Sequence, residues 1–270
     1  MARVQGGERR VDVQDEYLTV MARALGHAVQ FTPPSPQVIE RSQTWIHSPQ
    51  KIRAEWILAT GLYYPWGWGV AQAMAGSIKL AYPGSDGFFK FKVGYAGRKQ
   101  RYITDLRKVT TMEMGAQGKV AMSFDRTAFL GGVPPKTDER VLPLGRIYRV
   151  TSLDELPQLG DVVWRKMNLV GRRAYDEKEL AGVEMLCQNH LDPRLGIGER
   201  EKAILAIYLD ENDKRHSKPA IWGPMVLGKD STITTRLLGD MLYEWYASLR
   251  LDLWLTYETW KRRLFGIGAR

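Results

Sequence analysis

From Trp56 to Ile78 the chain runs for 23 residues without one charged side chain. About 20 apolar residues in a helix reach across a bilayer, so the stretch is long enough to enter one. Its interior does not suit a straight crossing. Pro65 stands near the middle, and Gly61, Gly67, Gly69 and Gly76 punctuate it. Trp66 and Trp68 lie beside the proline rather than at the ends, where interfacial aromatics gather. Lys51 and Arg53 precede the stretch and Lys79, Lys90 and Lys92 follow it, and the cytoplasmic bias of basic residues puts both flanks on one side. On residue pattern three readings stand open: a re-entrant segment over 55–80 that bends at Pro65 and returns, a buried core helix broken by proline, and a true crossing.

The pattern before this stretch allows a helix over 12–31, closed by the stiff Pro33-Pro34-Ser35-Pro36. We read 1–48 as an extension of unknown role and 49–270 as one domain. No cleavable signal peptide is expected, because the first apolar stretch is short and is interrupted by Arg23 and His27. After the apolar stretch, 86–90 and 93–98 suggest short strands joined by a glycine turn. Helices are expected over 176–190, 199–212 and 236–264. In the last, Leu238, Leu242, Trp245, Leu249, Leu253, Trp260 and Leu264 recur at roughly helical spacing, which suits either a helix on a membrane surface or one packed on the core. The expected fold class is α+β: mainly helical and monotopic in the membrane, with a re-entrant hydrophobic helix broken at Pro65, small β-hairpins and amphipathic surface helices.

Composition adds exclusions. At 270 residues, 44% hydrophobic and 26% charged, the chain can bury a core. A single cysteine, Cys187, excludes an internal disulfide framework, and four scattered histidines offer no zinc ligand pair. The net charge of +9 sits wholly in 51–150, which holds sixteen basic and seven acidic side chains. A local excess of this kind points to a polyanion: nucleic acid, anionic lipid headgroups or a phosphorylated substrate. Directly behind a membrane segment, the basic run over 90–119 is well sited for lipid headgroups or a lipid phosphate, unless it is merely a solvated face. It lacks the interleaved aromatics of a single-strand nucleic-acid groove.

Chemistry concentrates in Thr151-Ser152-Leu153-Asp154-Glu155-Leu156-Pro157-Gln158-Leu159, with Arg140, Arg146 and Arg149 upstream and Arg172 and Arg173 downstream. The bland reading is a capping box, Ser152 as N-cap and Glu155 three residues on. Pro157 lacks an amide for regular continuation, so an irregular turn is expected, in which neighbouring carboxylates can converge. A carboxylate can attack phosphorus to give an acyl phosphate, while a divalent cation such as Mg2+ offsets its repulsion by the phosphates. Arginines beside it would grip phosphate oxygens. Gly223 to Lys229 has the spacing of a phosphate-binding loop, but Asp230 stands where a Ser or Thr would ligate magnesium.

At these residues the chain resembles the bacterial sugar transferase family, the polyprenyl-phosphate sugar-1-phosphate transferases or monotopic phosphoglycosyl transferases. The similarity runs in order through the bent segment with Pro65, Phe88-Phe89, Thr111-Met112, Gly145-Arg146, Ser152 to Leu159, Met167 to Gly171, Arg173, Lys218-Pro219 and Ser248 to Leu253. The resemblance implies transfer of a sugar-1-phosphate from a UDP-sugar to polyprenyl (undecaprenyl) phosphate with release of UMP, initiating bacterial glycan assembly. It implies Asp154 as nucleophile, Glu155 as its assistant, Mg2+ at the pair, and phosphate contacts from Arg140, Arg146, Arg149, Arg173 and Lys218. It implies a re-entrant segment in the inner membrane with the catalytic part on the cytoplasmic face, a lipid bilayer as partner and a possible homodimer, and no nucleic acid. The chain departs from the family pattern at Arg172, Ala174, Ala220, Trp222 and Pro224. Two rivals follow: a non-catalytic family member that scaffolds polysaccharide assembly, and a soluble basic nucleic-acid-binding module.

Overall fold

The computed structural model describes residues 33–96, 101–111, 141–195, 197–214, 217–224 and 233–264. The helix expected over 12–31, Arg140 and the Gly228-Lys229 pair lie outside the described residues. Helix α1 (Pro36–Ile46) leads into α2 (Pro49–Leu62), which begins with Pro49 in its first turn and Ser48 Oγ accepting the Lys51 amide. At Pro65 the helix widens rather than breaks. A five-residue π turn, Tyr63–Gly67, closes with the Trp68 amide donating to the Tyr63 carbonyl, and α3 (Trp68–Ala81) continues. Proline has no amide to donate, and the wider turn absorbs the gap.

This long element has two unlike faces. Lys51, Glu55 and Ala59, then Gly67, Ala71 and Ala75, turn inward at four-residue spacing on either side of half-buried Tyr63, joined by Met74 and Ile78. Outward stand Trp56, Ile57, Leu58, Tyr64, Trp66 and Trp68, with Trp66 74% exposed. A buried core helix would hide that tryptophan. Among the described residues no helix is long and apolar enough to cross a membrane.

The sheet nearest the site has three strands. Strand β1 (Phe88–Ala96) pairs along its whole length with antiparallel β2 (Arg101–Val109), and β4 (Tyr175–Asp176) joins its other edge. Where the two short strands expected over 86–90 and 93–98 are described, they are one strand, Phe88–Ala96. Gly94 is no turn: it pairs with both Ile103 and Tyr175. Strand β3 (Asn168–Val170) runs parallel to β5 (Ala220–Trp222) in a second sheet.

Helices α4 (Pro143–Thr151) and α5 (Leu156–Val163) bracket the Asp-Glu turn. Helices α6 (Glu177–Gln188), α7 (Glu199–Lys214) and α8 (Ile233–Tyr246) build the main core with α5 and β1. The helix expected over 236–264 is two, α8 and α9 (Leu249–Leu264). Ser42 of α1 causes the break, since its Oγ donates to the Glu244 carbonyl at 2.8 Å and accepts the Ala247 amide at 2.8 Å. Ser248 then restarts the helix by accepting the Leu251 amide. Helix α8 is buried along nearly its whole length, whereas α9 exposes Leu249, Leu253, Tyr257 and Trp260 on one stripe.

A buried ionic network fastens the foot of α2. Lys51, 2% exposed, bonds Glu55 and Asp252 at 2.6 Å each and the Val170 carbonyl at 3.1 Å. Glu55 accepts the Leu169 and Val170 amides, and Asp252 accepts Tyr243 Oη and Trp45 Nε1. Buried charges are tolerable only when satisfied in this way.

Candidate active site

Helix α4 stops at Ser152, whose φ of 54° is left-handed, an uncommon conformation for a side chain-bearing residue. The chain then makes a single 3-10 turn, Leu153–Glu155, before α5. Pro157 falls in the first turn of α5, where a missing amide leaves no helical bond unmade. Ser152 makes no side-chain cap bond, so the capping box is absent and the irregular turn expected from Pro157 is present.

Three elements hold this turn. Helix α5 lies along the free edge of β2, where the Arg107 amide donates to Asp161 Oδ2 at 3.2 Å. Helix α4 closes on the end of β2 at Gly145, where any Cβ would run into the Thr111 backbone. That approach lets Arg149 Nε donate to Thr111 Oγ1 at 2.9 Å. From α3, Met74 and Ile78 pack with Val109 and Leu142 in a small core that also takes up Leu153 and Leu156.

Within the turn, Glu155 Oε1 meets Lys108 Nζ at 3.0 Å, and the same ammonium lies 5.7 Å from the Phe91 ring centre. Asp154 is 7% exposed. Burial drives its carboxyl up from 3.8 to about 6; Lys108 and Arg149 pull it down and Glu155 pushes it up. Lys108 feels the reverse: burial works against its charge, but Glu155 and Asp154 outweigh that and hold its pKa above the ordinary lysine value. The turn is thus a carboxylate pair under one ammonium, with a guanidinium in electrostatic reach.

Of the residues singled out in the sequence, Asp154, Glu155 and Arg149 come together. Arg173 is close enough to act on Lys108, but its guanidinium is pinned by Glu179 at 3.0 Å and stacks on Tyr175, while its amide donates to buried Asp240. Arg146 is exposed on α4, and no contact among the described residues joins it to the pair. Lys218 is not brought to the pair: its Nζ donates to the Arg165 carbonyl at 2.5 Å, beside a cavity of about 170 Å³ at the foot of α2. Lys108 was missed. It stood in the basic run, and the alternation of a second strand over 101–109 would have marked it as sharing a face with Leu106.

Among the described residues no three His, Cys, Asp or Glu side chains gather into a metal cluster. Magnesium does not need one, since it commonly takes one or two carboxylates and completes its shell with water and substrate phosphates. Asp154 and Glu155 fit that demand. Burial is the main cause of the raised Asp154 pKa and Glu155 adds to it, and a divalent cation held by the pair would relieve that added repulsion.

Residues 57–266 match the family described as bacterial sugar transferase. The chain is 30% identical over 142 residues to the undecaprenyl-phosphate glucose phosphotransferase of Komagataeibacter xylinus, covering 50% of this chain and 23% of that protein. It is 53% identical over 45 residues to the UDP-galactose-lipid carrier transferase of Erwinia amylovora, covering 17% of this chain and 9% of that protein. The aligned regions therefore span less than a quarter of either relative's own length.

Proposed function

The chain belongs to the bacterial sugar transferase family, and on that premise we propose that it moves a sugar-1-phosphate from a UDP-sugar to polyprenyl phosphate, releasing UMP. The observation that carries this reading is the buried Asp154 carboxyl set beside Glu155, under Lys108 and in the field of Arg149. Asp154 attacks the β-phosphorus, the bond from that phosphorus to the bridging oxygen breaks, and UMP leaves with the electron pair. The polyprenyl phosphate oxygen then attacks the aspartyl phosphosugar, the aspartyl oxygen departs and the carboxylate is restored. Mg2+, held by Asp154 and Glu155, would neutralise phosphate charge as the nucleophile approaches. Arg149, Arg173 and Lys108 supply positive charge around the diphosphate, with Arg173 oriented by Glu179 and Tyr175.

The exposed aromatic band of the α2–α3 element and the apolar stripe of α9 support a monotopic seat on the bilayer, with the π turn at Pro65 in the part that dips. Both ends of the dipping element return to the same folded body, which supports a catalytic part on one face, taken as the cytoplasmic face of the inner membrane. The test is UMP release over a panel of UDP-sugars with polyprenyl phosphate and magnesium, with Asp154→Asn alongside. UMP release that is lost in the variant supports the reading; no release with any donor favours the scaffold.

A further inference from the structure

The β1–β2 hairpin has a second charged face that the chemistry above leaves unused. Alternation along the strands turns Phe89, Phe91 and Lys108 toward the core and the Asp-Glu turn, and sends Lys90 and Arg107 to the opposite side. Lys90 and Arg107 are register partners, so two cations stand directly across from each other, which costs stability unless an anion lies between them. Asp161 acts on Arg107, but no ion pair among the described residues joins a carboxylate to the side chain of Lys90 or of Lys79 on α3. These three side chains line a cavity of about 1060 Å³ between the hairpin, α3 and α5. Lys166 stands at its edge beside Asp161, the one carboxylate in the lining. The rest of the wall is largely aromatic, with Phe88 inside and Trp68 and Trp164, the latter 71% exposed, at the mouth.

We propose that this cavity seats a lipid phosphomonoester, its phosphate among Lys79, Lys90 and Arg107 and its hydrocarbon leaving past Trp68 and Trp164 into the bilayer. The volume reaches the top of the range for small-molecule sites, roughly 300–1,000 Å³, and leaves room for a head and the first segments of a chain. Charge selects the class of head. A phosphomonoester carries about 1.5–2 negative charges near neutral pH, more than the diester of an ordinary phospholipid, and Lys79, Lys90, Arg107 and Lys166 set against the single carboxylate of Asp161 leave a positive excess that matches the larger value. The mouth opens beside the exposed aromatic band, so the ligand arrives from the lipid side. Naming polyprenyl phosphate as the natural occupant rests on the acceptor of the proposed reaction; the site itself does not. Pro157, in the first turn of α5 next to the Asp-Glu turn, also lines the cavity and places the store beside the chemistry.

The test is equilibrium binding of farnesyl phosphate to the full chain in phosphatidylcholine nanodiscs, in the Asp154→Asn background so that no turnover intervenes. Lys90→Ala with Arg107→Ala is expected to weaken binding by at least about tenfold per cation removed, and Trp164→Ala to weaken farnesyl phosphate while leaving inorganic phosphate unchanged. Arg250→Ala, an exposed cation on α9, is expected to change nothing. Unfolding midpoints confirm that the hairpin variants fold, and Lys79→Gln, off the hairpin, repeats the test if they do not. Affinity that survives these changes, an equal loss with Arg250→Ala, or phosphatidylglycerol competing as well as farnesyl phosphate overturns the proposal. Failure of UMP release with cavity-dependent binding intact refutes the transferase reading alone, and the converse result refutes this site alone.

Discussion

Replacing Asp154 by Asn separates the two consequences of burying a carboxylate. Folding raises this group from 3.8 to about 6, with burial as the leading cause. At 1.36 kcal/mol per pKa unit, keeping it ionised in the folded state costs about 3 kcal/mol. Since the folded pKa is the higher one, the native state binds the proton more tightly than the unfolded chain. Asp154 therefore costs nothing below pH 3.8, progressively more as pH rises from 3.8 to 6, and the full amount above 6. Asparagine has the same shape and no charge, and Lys108 keeps Glu155 as its partner. The variant should gain a smaller amount over the parent at pH 5 and about 3 kcal/mol at pH 8, while UMP release is lost. Urea unfolding in one detergent at pH 5, 6.5 and 8 measures the difference. A variant no more stable than the parent at pH 8, or a gain independent of pH, would refute the assignment of this carboxyl as a strained, buried charge.

The neighbours of Asp154 should move its titration in opposite directions. Lys108→Met removes the strongest pull downward and should shift the acid limb of the kcat/KM profile to higher pH; Glu155→Gln removes a push upward and should shift it lower. Asp252→Ala leaves buried Lys51 with one carboxylate instead of two and frees Tyr243 and Trp45 of a partner, so urea unfolding should show a loss of about 3–5 kcal/mol. Gly145→Ala forces α4 off the Thr111 backbone and should cost about 1–3 kcal/mol with loss of activity, whereas Gly61→Ala, which meets nothing within 4 Å, should gain about 0.5–1 kcal/mol of thermal stability.

The apolar stretch and the carboxylate turn were legible because each departs from a local rule. Twenty-three uncharged residues with proline and tryptophan inside are unlike either a soluble or a spanning helix, and Pro157 forbids a regular continuation after two acids. What local pattern cannot carry is partnership across the chain. Ser42 splits the helix expected over 236–264 from about 200 residues away, so the periodicity of Leu238, Leu242 and Trp245 runs unbroken into Leu249. Lys108 and Lys218 look alike as basic residues. One is turned by strand register onto Glu155 and the other by β5 onto the Arg165 carbonyl, and neither register is written near the lysine. Glu55 was an isolated charge before an apolar run until two amides of β3 gave it a role.

The same long-range contacts tie the exposed helix to the chemistry. Gly160 of α5 has no side chain because the Tyr63 ring of the π turn would lie 2.7 Å from its Cβ. One residue further, Asp161 binds the edge of β2, and before it Leu153 and Leu156 pack against Met74 and Ile78 of α3. Ser77 Oγ also meets Tyr148 Oη at 2.6 Å, joining α3 to α4. The turn bearing Asp154 is therefore clamped by the element that carries the exposed aromatics, and the burial that raises its pKa comes partly from that clamp. An aspartate that merely capped α5 would need none of this. Here α3 carries both an exposed apolar outer face and the inner contacts that keep water from the carboxyl, so a change on one side of this helix is felt on the other.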